Sequence, residues 1–302
     1  MKYDRKRFLQ LSAGLASGIA LGNINCKLSP KTDDKKETGG AAPGAGKTLD
    51  SFGVQLYTVR DDIPKDPKGV LKQLASFGYK QVESFEGSMG IFWGMTNTEF
   101  KKYMDDLGMV IVSSHCDINK DFEKKANEAS AIGMKYLICP YLGPQKKMDD
   151  FKKFADKFNQ LGEVCKKAGI RFAYHNHDYS FQPLEGQLPQ DVMMQNTDAA
   201  LVDFEMDIYW VVTGGQDPLV WLKKYPNRFK LTHIKDRKKD APLSDRDASC
   251  DVGIGGIDFS KILHEASAQG VQYYIVEQER YDNSTPMQSA ERDAAYLKTL
   301  KI

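Results

Sequence analysis

Cysteine is scarce in this 302-residue chain, and the five present follow neither a zinc nor a disulfide spacing. Of Cys116, Cys139, Cys165 and Cys250, three fall inside apolar segments, which reads as buried free thiols. A dominant charge sign is missing as well. The 42 basic and 41 acidic side chains leave a formal net charge of +1, so no global field draws the chain to nucleic acid. Long apolar runs are also lacking. The nearest, "FLQLSAGLASGIALGNIN" at residues 8–25, is too short and too glycine-rich for a convincing membrane span. What remains is a chain 41% hydrophobic, with ample core for one large domain or two small ones.

The small charge excess is concentrated at the start. "MKYDRKR" holds four bases and one acid, so the rest of the chain has a net charge of −2. A basic head followed by a short apolar stretch is the grammar of an export signal. "RKRFLQ" resembles a twin-arginine motif with Lys6 in place of the second arginine, and Cys26 is a candidate lipid-attachment cysteine. Residues 1–26 are therefore expected to be an export signal, placing the protein in the periplasm or anchored to a membrane through lipid alone. Residues 27–50 lack apolar periodicity and read as a flexible linker. Within them "AAPGAGKT", residues 41–48, fits a relaxed phosphate-loop pattern. Its mechanism needs a strand before the loop and a helix after it. Neither is in the pattern, because a charged stretch precedes it and "SFGVQLYTV" follows.

From residue 51 the pattern becomes regular. Apolar segments of strand length ("FGVQLYTV", "YKQVESF", "MVIVSSH", "KYLICP", "IRFAYHNH", "AALVDFEMD", "FKLTHIKD", "QYYIVEQE") alternate with helical ones, several closed by glycine. Eight strand–helix pairs over residues 51–302 predict an α/β fold, a single (β/α)8 TIM barrel. A doubly wound sheet would carry a glycine-rich turn after its first strand, and "YTVRDDIP" has none.

Barrels of this kind build their sites at the C-terminal strand ends. Those ends hold Glu83, His115, His175 and His177, Glu205 and Asp207, His233 and Lys235, and Glu277 and Glu279. Four of the five histidines are among them. Each of the last four pairs is two residues apart, which predicts one face of its strand. Buried groups of this kind must be paired, hydrogen-bonded or metal-bound. Imidazole and carboxylate from several strands suit a divalent cation such as Mn²⁺, Zn²⁺, Co²⁺ or Mg²⁺. Asp178 and Asp236, just past strand ends, read equally well as turn or helix caps.

At these residues the chain resembles the sugar phosphate isomerase/epimerase family of xylose isomerase-like barrels. The resemblance is carried in order by "QLYTVR", "YHNHD", "MDIYWVVTGG", "HIKD", "VGIGGIDF" and "VEQ". It implies metal ligands at Asp207, His233 and Glu277. The strand-five ligand position falls on His175, where epimerases usually have glutamate, and this departs from symmetrical two-base epimerisation. The resemblance further implies Glu277 as ligand and base, Lys235 and His177 for the other proton transfer, and Glu83 in acid–base work. His115, Tyr57, Asn176 and Trp210 are then expected to bind a small carbohydrate. The implied chemistry is proton abstraction next to a sugar carbonyl, leading to isomerisation, epimerisation or β-elimination from a keto-glycoside. Export favours a neutral sugar over a phosphorylated one. The alternative from another class is a tethered, non-catalytic sugar-binding protein on the same scaffold. A DNA-repair endonuclease is disfavoured by the lack of a basic face. The oligomeric state is not legible in the sequence.

Overall fold

The computed structural model describes residues 46–302. The expected export signal, Cys26, most of the linker and residues 41–45 of the phosphate-loop pattern lie outside the described residues. Eight parallel strands close into a barrel: β1 (Gly53–Gln55), β2 (Gln81–Phe85), β3 (Val110–His115), β4 (Tyr136–Cys139), β5 (Arg171–His175), β6 (Val202–Asp207), β7 (Phe229–Ile234) and β8 (Tyr273–Val276). Each pairs with its sequence neighbour, and β8 returns to β1 with Gly53 opposite Ile275.

The helices between them are α1 (Pro67–Phe77), α2 (Asn97–Asp106), α3 (Phe122–Ala131), α4 (Met148–Ala168), α5 (Pro189–Asn196), α6 (Ile208–Thr213), α7 (Pro218–Lys224), α8 (Phe259–Ala268) and α9 (Pro286–Thr299). Their ends follow local chemistry. Asp66 caps α1 by accepting from the Gly69 N–H, Pro67 opens it, and Gly78 closes it at φ 100°. Thr96 with Glu99 and Thr285 with Gln288 form capping boxes on α2 and α9. None of the helices among the described residues is long and apolar enough to cross a membrane.

Two expectations shift. The first strand stops at Gln55, and Leu56–Val59 winds into a 3₁₀ turn. The Gln55 side chain is the cause: its Oε1 accepts from the Tyr57 N–H at 3.1 Å, while its Nε2 donates to Glu83 Oε1 at 2.7 Å. The turn brings Tyr57 to the mouth of the barrel. The linker boundary at residue 50 also moves. Thr48 forms an antiparallel bridge with Lys301, and the Lys47 carbonyl accepts from the Ile302 N–H at 2.9 Å. The end of the phosphate-loop pattern thus pairs with the C-terminus instead of opening a helix.

Inside the barrel, Val112, Tyr136, Ile138, Ala173, Leu231 and Ile275 form an apolar plug. Toward the C-terminal strand ends the interior turns polar, with Glu83, Ser113, Glu205 and His233 all 0% exposed. A larger apolar shell between strands and helices, including Phe158, Phe172, Phe204 and Phe229, supports the barrel from outside.

Candidate active site

Four side chains from adjacent strands meet at the top of the barrel. His175 ends β5, Asp207 ends β6, His233 lies on β7 and Glu277 follows β8. Strand pairing sets Asp207 opposite His233. Backbone contacts orient two of the four side chains. His175 Nδ1 lies 3.2 Å from the Pro140 carbonyl, so it carries the hydrogen and leaves Nε2 a free lone pair. Asp207 Oδ1 caps α6 by accepting from the Trp210 N–H at 2.9 Å, while Oδ2 is buried with no partner.

The free atoms face one another. His175 Nε2 lies 3.2 Å from His233 Nδ1 and 3.4 Å from Asp207 Oδ2. His233 Nδ1 lies 3.4 Å from Glu277 Oε2 and 3.7 Å from Asp207 Oδ2. Four ligands about 2.1 Å from one tetrahedral ion would stand roughly 3.4 Å apart. Two imidazoles, two carboxylates and an orphaned buried oxygen therefore fit a divalent cation.

A second cluster of Glu83, His115, Glu205 and His233 lies next to it. Its 3.4 Å contact between His233 and Glu205 and the unpartnered Glu205 Oε1 resemble the first cluster, but its two closest contacts are shorter. His233 Nε2 is 2.7 Å from Glu83 Oε1, and His115 Nε2 is 2.8 Å from Glu205 Oε2. Those are hydrogen-bond lengths, with a proton between the atoms. Glu83 also accepts from Gln55 Nε2 at 2.7 Å and from Ser113 Oγ at 2.5 Å. The deeper cluster thus fixes the outer one: with Nε2–H given to Glu83, His233 must present Nδ1 as ligand.

The charges follow from burial and neighbours. Burial works to raise the Asp207 and Glu277 carboxyls, but Lys235 and the histidines outweigh it and hold both below the usual range. Burial works against a charged Lys235, yet Glu277, Glu279 and Asp207 raise it, so it stays cationic. Its Nζ sits 2.7 Å from Glu279 Oε1 and 3.3 Å from Glu277 Oε2. For His115, burial is overcome by Glu83 and Glu205, which raise it to about 9. His177 moves the other way. Burial, helped by His175 and Lys235, pushes it well below the ordinary histidine value and keeps it neutral.

A cavity of about 650 Å³ opens over this cluster. Tyr57, His115, His175, His177, Trp210 and Glu277 line it, as expected of site residues. Asp207 and His233 are fully buried and do not reach its wall. Three expected site residues are placed differently. Glu83 is fully buried among the hydrogen bonds to Gln55, Ser113 and His233, away from the wall. Lys235 stands behind Glu277 and Glu279 as a fixed cation, unsuited to accept a proton. Asn176 spends both ends of its amide on the Asp207 backbone, N–H and carbonyl each at 3.2 Å, and braces that ligand instead of touching substrate.

Glu279 was recognisable as a strand-end carboxylate two residues beyond Glu277, but its place in the wall beside Lys235 was not. Tyr141 and Arg246 also line the cavity from loops that carry no motif.

A closed eight-stranded parallel barrel with a His/Asp/His/Glu cluster at its strand ends defines a TIM barrel equipped to hold a metal. The chain belongs to the xylose isomerase-like TIM barrel family, whose model matches residues 71–300. A sugar phosphate isomerase/epimerase of Parabacteroides distasonis is 30% identical with a TM-score of 0.70, over 87% of this chain and 97% of that one. The inosose dehydratase of Clostridium perfringens strain 13 is 32% identical over 166 residues, 50% of this chain and 54% of the relative. The chain thus spans about half the length of the curated relatives it matches. A xylose isomerase-like barrel from Mycobacterium smegmatis in complex with magnesium shares the fold at 14% identity, with a TM-score of 0.62 over 83% and 96% of the two chains.

Proposed function

We propose that this protein is a metal-dependent enzyme acting on a neutral sugar or keto-sugar by removing a proton from the carbon next to its carbonyl. The observation that carries this reading is the convergence of His175, Asp207, His233 and Glu277 with metal-like spacing beside a neutral, cavity-lining His177. When bound there, a divalent ion would supply Lewis acidity to a sugar oxygen and acidify the adjacent C–H. The inosose dehydratase and isomerase/epimerase relatives, and a structural neighbour that binds magnesium, support the same chemistry.

The outer members of two strand-end pairs flank the ligands. His177 stands on the β5 side and Glu279 on the β8 side, each two residues past a ligand. His177 lines the cavity as a neutral imidazole and takes the proton. Returning it to the former carbonyl carbon, while the hydroxyl proton passes to the former carbonyl oxygen, gives isomerisation. Delivering it to a departing β-oxygen, as that C–O bond breaks and the C=C bond forms, gives elimination. One shuttle serves either outcome. Epimerisation needs a second group on the opposite face; His175 is committed as a ligand, and Glu279, the counterpart of His177 on the β8 side, is held by Lys235 at 2.7 Å. We therefore favour elimination or isomerisation. The export grammar of residues 1–26 supports action outside the cytoplasm.

The test is proton exchange in D₂O with protein loaded with Mn²⁺ or Co²⁺, using free ketoses and 3-keto-glycosides. Deuterium should appear next to the carbonyl, or an elimination product should form. His177→Gln should lower the rate by about 100-fold or more while metal content is unchanged. The reading fails if both substrate classes emerge without exchange or reaction. Sugar binding that survives chelation, with no exchange, would fit a sugar-binding protein instead.

A further inference from the structure

The cavity is wider than its metal-facing arc. The proposed metal ligands occupy the β5–β8 side, while the β1–β3 side carries a different surface. Tyr57 is 39% exposed at the mouth, unusual for a large aromatic side chain. It is held rigid from behind. Its edge packs on Phe85 with centroids 5.2 Å apart, and Phe85 packs on Trp93 at 4.8 Å. The Arg60 guanidinium covers the Tyr57 ring at 4.7 Å and donates to the Tyr57 carbonyl at 3.1 Å. A rigid, wetted aromatic side chain with an apolar body and a polar tip costs little entropy when it binds.

Polar groups stand on the same side. Glu86 accepts from the Asp117 N–H at 2.8 Å, Asp117 accepts from the Asn119 N–H at 2.8 Å, and all three line the cavity. Carboxylates and an amide beside an aromatic platform suit the hydroxyls and C–H face of a pyranose. They do not suit an anion. Glu86, Asp117, Asp247, Glu277 and Glu279 line the cavity, against two lining cations, Arg246 and His115, and His115 is already held by Glu205 at 2.8 Å. Arg246 is already paired with Asp178 at 2.8 Å and lies over Trp210.

We infer that the cavity is a two-subsite carbohydrate cleft. One ring sits over the metal cluster, and a second uncharged ring packs on Tyr57 and Phe85, so the substrate is a neutral glycoside of two rings and not a sugar phosphate. The inference rests on the catalytic reading above for the identity of the first subsite. A volume of about 650 Å³ lies in the middle of the range, about 300–1,000 Å³, typical of sites for ligands larger than one sugar ring.

Binding, measured by calorimetry on the metal-loaded full chain, tests it without turnover. The probes are methyl glucoside, the glucose disaccharides cellobiose, maltose and trehalose, and glucose 6-phosphate. At least one disaccharide should bind about tenfold tighter than methyl glucoside, and glucose 6-phosphate no tighter than methyl glucoside. Tyr57→Phe should keep the disaccharide advantage, and Tyr57→Ala should shrink it to about twofold or less. The inference is overturned if no disaccharide binds or none gains on the single ring. It is equally overturned if the gain survives Tyr57→Ala, or if the phosphate binds tightest. A disaccharide preference without any exchange chemistry would sink the catalytic reading alone. Exchange of a free ketose without that preference would sink this one alone.

Discussion

Glu83 illustrates how a residue can govern a metal site without touching it. It lies on β2, across the barrel from β7, and is fully buried. Its carboxylate takes hydrogen bonds from His233, Gln55 and Ser113. Burial opposes its charge, yet His115 and His233 hold it well below the usual range. The bond to His233 decides which ring nitrogen carries the proton, and therefore which one is left for a metal. Glu83→Gln keeps the shape but offers one acceptor oxygen to three donors. Metal affinity should fall by about 10- to 100-fold, read by competition with a chromophoric chelator. Unchanged affinity, with the fold intact by circular dichroism, would show that His233 is oriented by something else.

At the scale of the element, legibility depended on how local the cause was. Helix ends were plain because Gly78 and Gly169 adopt left-handed conformations that favour glycine, and because the capping residues lie within one turn. The end of β1 was hidden because it depends on Gln55 reaching Glu83, 28 residues away. The two-residue spacing of the site pairs placed all eight residues at the C-terminal strand ends, but both members line the cavity only for His175/His177 and Glu277/Glu279. It could not separate ligands from their outer neighbours, since only Glu205 and Asp207 both lie inside a strand. Asn176 faces the backbone for a related reason: whether an amide meets substrate or main chain depends on the next strand.

Asp236 was legible only as a cap, and the structure makes it the anchor of a loop. It accepts from the N–H groups of Arg237, Gly253, Gly255 and Ile257. That explains "VGIGGIDF" physically. A Cβ at Gly255 would stand 2.2 Å from Asp236 Oδ1 and 2.3 Å from the Arg237 carbonyl. Gly255→Ala should therefore cost about 1–3 kcal/mol, the usual penalty of overpacking. Thermal unfolding would show it as a drop of about 2–4 °C per kcal/mol, and an unchanged Tm would mean that the loop yields freely.

For the molecule as a whole, one buried acid links stability to pH. Asp293 sits on α9, the helix that follows β8 and packs on α1 across the barrel's closure. It is 0% exposed, accepts from the Val252 N–H at 2.7 Å through Oδ1, and leaves Oδ2 without a partner. Burial, with Asp251 and Asp236 nearby, pushes its carboxyl well above the usual range. The sign follows from proton counting. Between the unfolded value and the raised folded value, the folded chain holds a proton that the unfolded chain has released. Stability therefore falls as pH rises through that window, and the loss is complete above the folded value. Asp293→Asn keeps the acceptor for Val252 and removes the titration. Near pH 5 the two proteins should unfold at similar temperatures, and by about pH 8 the variant should be the more stable by about 2–4 °C, as ~1 kcal/mol would give. Because the metal ligands are common to both proteins, their own pH dependence cancels in the difference. A difference that stays flat across pH, or that grows toward acid, would show that Asp293 keeps its charge inside the fold.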